Sequence, residues 1–261
     1  MPFCELSDGA RIWYEEAGNR SAPPLVFSNS LGTNLAMWDA QVDEAETSFR
    51  VIRYDQRGHG RSPIPADAFS MERLGQDVVE LLDLLKIDKT DFCGLSMGGM
   101  TGIVLARDHP ARFGKLALCN TSAHMPPADL WNERIKAVTD NGMEALVDGV
   151  TERWFTATFR RDNPDEVERI AEQIRATEPD GYAGCCAAIR DMDLRPTLSA
   201  IEADVLILIG DSDPSTPPQD GELIADNIVG ARKEIVHAAH LSAVEAPAEF
   251  NRAVFSYLRG N

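Results

Sequence analysis

The pentapeptide Gly94-Leu95-Ser96-Met97-Gly98 can do chemistry that few short stretches can. A serine hydroxyl is a weak nucleophile at its free pKa, so it must be lifted clear of the backbone and given a base. A sharp turn from strand into helix does the lifting. Glycines on both sides of the serine remove side chains that would strike the neighbouring strand and helix. The helix that follows, expected over Met100 to Arg107, aims its N-terminal N–H groups at the place where negative charge develops. The acid and the base should then come from later loops, in that chain order. The run ending at Gly210 leads into Asp211-Ser212-Asp213-Pro214, which offers two carboxylates. Asp213 stands far enough into the loop to reach a histidine and is preferred. Asp211 comes straight off the strand and is read as tying the loop down. His240, on a short loop between the Ile235-Val236 run and the last helix, is the candidate base; His237 is still on or near the strand. Two N–H donors must meet the oxyanion. One is expected at Met97, the other at Leu31 in the loop Asn29-Ser30-Leu31-Gly32. No histidine or carboxylate pair has metal-ligand spacing, so no metal and no cofactor are expected.

These residues need a frame, and the apolar pattern describes one. Phe3 to Glu16 alternates around Asp8-Gly9, the mark of an antiparallel hairpin at a sheet edge. Pro24 to Ser28, Arg50 to Tyr54, the run into the elbow, Lys115 to Cys119, Asp204 to Gly210 and Lys233 to Val236 read as strands, several of them continuous apolar runs of the buried parallel kind. Trp38 to Ala45 reads as helical, and Met71 to Lys86 has a helical apolar period at Leu74, Val78, Leu81, Leu82 and Leu85. This rhythm of strand and helix predicts an α/β fold, a mostly parallel sheet with helices on both faces. It breaks after Asn120. Leu130 to Val138, Gly142 to Phe159, Asp165 to Ala176 and Tyr182 to Ile189 read as successive helices with no strand between. The chain is therefore divided into a core over residues 1–124 and 194–261 and a helical insertion over 125–193.

The 261 residues carry 42 Asp and Glu against 25 Lys and Arg, a formal net charge of -17. That balance argues against nucleic acid or an anionic membrane as partner. A small anionic substrate would need a local cation to hold it. The five cysteines are scattered and odd in number, which suits reduced thiols and a cytoplasmic setting better than a disulfide framework. The N-terminus has no signal-peptide pattern, and no run is long enough to span a membrane. The sequence leaves the oligomeric state open.

Together, Gly94-Leu95-Ser96-Met97-Gly98-Gly99 and Asp55-Gln56-Arg57-Gly58-His59-Gly60-Arg61-Ser62 resemble the α/β-hydrolase superfamily with a helical cap. More narrowly, Asn29 to Thr33, Met37-Trp38-Asp39, Arg153-Trp154-Phe155-Thr156, Tyr182 to Asp193 and Asp213 to Pro218 resemble the 3-oxoadipate enol-lactone hydrolases. The resemblance implies Ser96, Asp213 and His240 as a triad. It also implies an enol-lactone substrate bearing a free carboxylate, whose burial requires a cation or several donors. Trp131 and Arg134 at the start of the cap are the candidates, with Trp154 as a wall and Arg190 as an alternative cation. The adjacent Cys185 and Cys186 are read as small buried thiols on a cap helix. Rival readings are another carboxylesterase, lactonase or carbon–carbon bond hydrolase of the same fold, or a ligand receptor on a disabled hydrolase fold.

Overall fold

In the computed structural model of the chain, residues 3–65 and 69–260 are described. The strands are β1 Phe3–Glu5, β2 Arg11–Ala17, β3 Pro24–Ser28, β4 Arg50–Tyr54, β5 Thr90–Leu95, β6 Phe113–Cys119, β7 Asp204–Gly210 and β8 Arg232–Val236. They form one sheet in the order β1-β2-β4-β3-β5-β6-β7-β8, antiparallel at the β1-β2 and β2-β4 pairings and parallel elsewhere. The inner parallel strands are apolar on both faces because helices cover both: Leu25, Val26 and Phe27, or Val205 through Ile209, are buried without alternation, whereas the edge strand β8 is exposed from Arg232 to Ile235. The chain order reverses at β3, where β4 lies to one side and β5 to the other. The loops at the carboxyl ends of β3 and β5 therefore border one crevice, the usual place for a ligand in an open α/β sheet.

Helices α1 Asp39–Ala45, α2 Met71–Leu84 and α3 Met97–Asp108 belong to this layered part. Ser70 caps α2 by accepting from the Arg73 N–H, and the period at Leu74, Val78, Leu81 and Leu82 faces the core as expected. The segment between β6 and β7 contains α4 Ala128–Asn141, α5 Glu144–Trp154, α6 Ala157–Asp162, α7 Pro164–Arg175 and α8 Pro179–Asp191, with an isolated bridge between His124 and Asp193 at its base. One expectation is corrected here. Gly142 to Phe159 is not a single helix, because Thr156 starts a new one: its side chain accepts from the Phe159 N–H and donates to Glu245 Oε1 at 2.5 Å. After β7 come α9 Pro218–Asn227, α10 Ser242–Glu245 and α11 Pro247–Arg259. No helix among the described residues is long and apolar enough to cross a membrane.

The helical segment docks on the core by bare backbone. A Cβ on Gly181, in α8, would stand 2.2 Å from the Gly58 carbonyl oxygen, and a Cβ on Gly58 would stand 2.5 Å from Gly181 Cα. No other residue pair allows this approach. The turn that carries Gly58 is anchored by a buried ion network, in which Arg57 Nε donates to Asp77 at 2.6 Å and Nη2 donates to Asp8 at 2.9 Å.

Candidate active site

Ser96 stands between the end of β5 and the start of α3 with φ 57° and ψ -116°. That backbone costs a non-glycine residue about 1–3 kcal/mol and persists only where the surroundings impose it. The surroundings here are glycines. A Cβ on Gly94 would lie 2.2 Å from the Gly98 oxygen, one on Gly98 would lie 2.1 Å from the Ser28 oxygen, and one on Gly99 would lie 2.6 Å from Thr121 Cβ. Thr121 also donates its hydroxyl to the Ser96 carbonyl at 2.8 Å, and the Ser96 N–H donates to Cys119 at 2.9 Å. The helix begins at Met97, three residues earlier than the apolar pattern alone suggests.

His240 and Asp213 meet behind the serine. His240 Nδ1 and Asp213 Oδ2 are 2.8 Å apart, both residues are buried, and Nε2 is left as the imidazole's other nitrogen. Oδ2 of Asp213 accepts further from Thr216 Oγ1 at 2.8 Å and Asn120 Nδ2 at 3.0 Å. Oδ1 accepts from the N–H groups of Ser215 at 2.8 Å and Thr216 at 3.0 Å. Burial works against the charge on this carboxylate, but the His240 ring beside it and these donors prevail and hold its pKa below the ordinary range. Asp211 has a different partner, His237 Nδ1 at 2.6 Å, on the exposed side of the loop. Ser96 and His240 line one cavity but share no direct hydrogen bond. Trp154 packs beside the imidazole with ring centroids 5.9 Å apart.

Asn120 holds the carboxylate without any sequence motif to announce it, and Thr216 does so from within the Asp213 to Pro218 stretch. Asn120 has φ 42° and is fixed further by the Ser242 hydroxyl, which donates to its Oδ1 at 2.5 Å. The only sequence signal was position, directly after β6.

The Asn29–Thr33 loop approaches from β3. Asn29 Nδ2 donates to the Tyr54 carbonyl at 2.9 Å, its Oδ1 accepts from Trp38 Nε1 at 2.8 Å, and its carbonyl accepts from the Gly98 N–H at 3.0 Å. The last bond ties this loop to the elbow. Gly32 N–H donates to His59 Nε2 at 3.0 Å, which places the His59 proton on Nδ1, facing the Arg57 carbonyl at 3.2 Å. Burial pushes the His59 pKa down to about 4, so the ring stays neutral and able to accept. Among the described residues, the Leu31 and Met97 N–H groups have no protein acceptor.

The cavity over Ser96 encloses about 440 Å³ and is walled on the helical side by Trp131, Arg134, Arg153, Trp154 and Tyr182. Arg134 lies over the Trp131 ring, 5.1 Å from its centroid. Neither Arg134 nor Arg153 pairs with a carboxylate among the described residues, whereas most arginines of this acidic chain do. Burial, and then the neighbouring Arg134, lower the pKa of Arg153. Arg190 does not line the cavity. Its guanidinium is engaged by Asp191 at 2.7 Å and Asn132 at 2.9 Å. Arg153, one residue before Trp154, lines the cavity although the sequence did not single it out as a cation.

Residues 23–247 match the family model of the alpha/beta hydrolase fold. The chain is 40% identical over 246 residues to 3-oxoadipate enol-lactonase 2 of Acinetobacter baylyi, covering 94% of this chain and 92% of the relative. Among solved structures it is similar to the enol-lactonase from Burkholderia xenovorans, with a TM-score of 0.97, 40% identity and coverage of 99% and 100% of the two chains. It is also similar to a hydrolase from Pseudomonas aeruginosa, with a TM-score of 0.95, 44% identity and coverage of 98% and 97%. With the elbow at Ser96, the sheet order and a match over nearly its whole length, this chain belongs to the α/β-hydrolase family, in the company of its 3-oxoadipate enol-lactonases.

Proposed function

We propose that this protein is a serine hydrolase that opens the ring of 3-oxoadipate enol-lactone to give 3-oxoadipate, a step in the breakdown of aromatic compounds. The observation that carries the reading is one cavity holding a strained elbow serine, a carboxylate-backed histidine and unpaired arginines, in a chain 40% identical to an enol-lactonase. Residues 125–193 act as a cap over a core formed by 1–124 and 194–261. The five unpaired, buried cysteines support a reducing setting such as the cytoplasm.

In this reading His240 Nε2 takes the Ser96 proton as Oγ attacks the lactone carbonyl. The tetrahedral oxyanion receives the N–H groups of Leu31 and Met97. Asp213 fixes the imidazole tautomer and stabilises the imidazolium. Collapse breaks the acyl C–O bond and releases the ring oxygen as an enol, a better leaving group than an alkoxide, which takes the proton from His240. Water, deprotonated by His240, then frees the acid and regenerates Ser96, and the enol relaxes to the ketone. Arg134, stacked on Trp131, faces the substrate carboxylate.

A fluorophosphonate probe tests nucleophile and substrate together. Mass spectrometry should find a single adduct on Ser96, absent in Ser96→Ala, and the enol-lactone should slow its formation. An adduct elsewhere, or no protection by the lactone, overturns the reading.

A further inference from the structure

Arg153 is a group the mechanism above does not use. It reaches the same cavity as Arg134 from the adjoining helix, α5, and neither guanidinium has a carboxylate partner among the described residues. Two like charges held in one partly desolvated wall repel one another, and a bound anion would relieve that repulsion. Tyr182 fixes where that anion sits. Its ring edge packs on Gly32, where a Cβ would stand 3.0 Å from Tyr182 Cε2, so it abuts the oxyanion loop. Its phenol feels both arginines: burial raises its pKa, and Arg134 and Arg153 each oppose the rise. Arg134, Arg153 and Tyr182 line the same cavity as Leu31, so the cations and the loop that would hold the scissile carbonyl border one space. Nothing in this wall requires the substrate to be a ring. The cavity, about 440 Å³, also leaves room for a leaving group that departs rather than remaining tethered.

We infer that Arg153 and Arg134 form a two-cation carboxylate subsite, and that the enzyme therefore also hydrolyses open-chain half-esters of short dicarboxylic acids. The inference rests on the serine-hydrolase reading of Ser96, Asp213 and His240. The step balances as a hydrolysis. Ser96 Oγ forms the acyl bond and the ester C–O bond breaks. The alcohol leaves with the proton held by His240, and water completes the second carboxylic acid.

The test compares 4-nitrophenyl hydrogen glutarate with 4-nitrophenyl butyrate, which differs chiefly in lacking the carboxylate. Rates are corrected with Ser96→Ala as the blank, and enol-lactone turnover is followed in parallel. A charge-assisted pair predicts that kcat/KM for the half-ester exceeds that for the neutral ester by about tenfold or more. In Arg153→Gln that ratio falls by about tenfold, chiefly through KM, and Arg153→Lys restores part of it because charge returns without the planar fork. Free glutarate competes with the half-ester in the wild type, and more weakly in Arg153→Gln. Equal kcat/KM for the two esters, or a ratio that Arg153→Gln leaves unmoved, overturns the inference even where the lactone turns over rapidly. A half-ester preference in an enzyme that ignores the lactone sustains the subsite and removes the lactone assignment instead.

Discussion

The carboxylate of Asp213 accepts five hydrogen bonds, of which only one comes from His240. The other four fix its orientation before any substrate arrives, so the imidazole is held in one tautomer with Nδ1 protonated. Asp213→Asn keeps the shape and presents an amide where the carboxylate stood. We expect kcat on the enol-lactone to fall by roughly 10³–10⁴-fold, because the tautomer that accepts the serine proton is lost. The donors now facing an amide should cost about 1–3 kcal/mol of stability, read by denaturant unfolding. A variant retaining a tenth of the wild-type kcat contradicts the assignment of Asp213. At this scale the sequence showed the residues that carry motifs, Ser96, Asp213 and His240. Asn120 and Arg153 were not visible as site residues, because each meets its neighbour only in the fold, Asn120 at Asp213 and Arg153 at Arg134; Thr216, three residues from Asp213, binds the same carboxylate from within its own loop.

Among the elements, the oxyanion loop depends on a histidine that touches no substrate. His59 accepts from Gly32 only while neutral, and burial lowers its pKa from 6.5 to about 4. Between these values the unfolded chain binds a proton that the folded chain refuses. The associated stability is therefore complete above about pH 6.5 and is lost as pH falls toward 4, to a total of about 3 kcal/mol. His59→Gln should remove most of this term from the difference between unfolding free energies at pH 7 and pH 4.5. A His59 imidazole that titrates near 6.5 by NMR contradicts the argument. The strands were legible because continuous apolar runs leave little choice for a parallel sheet. The break between α5 and α6 was not, because Glu245, which receives Thr156, arrives 89 residues later and no local pattern foretells it. Helix α9 carried no expectation from the sequence, although Pro218 at its first turn is a common way for a helix to begin.

Taken as a whole, the molecule sets a net charge of -17 against a cavity whose Arg134 and Arg153 have no carboxylate partner among the described residues. Long-range attraction does not deliver an anionic substrate to such a surface, so under the proposed function recognition is local and falls to the helical segment. That segment is joined to the core by the backbone approach of Gly58 and Gly181, and it brings the cations to the serine that the sheet holds. Under the proposed function, core and cap divide the task into bond-breaking and recognition. The most direct measurement is the loss of ultraviolet absorbance of freshly generated 3-oxoadipate enol-lactone, followed with wild type and Ser96→Ala beside a neutral 4-nitrophenyl ester. The account predicts rapid lactone turnover that exceeds neutral ester hydrolysis and falls by at least about 10⁴-fold in Ser96→Ala. Lactone turnover that survives in Ser96→Ala, or a wild type that hydrolyses the neutral ester well and leaves the lactone intact, contradicts it.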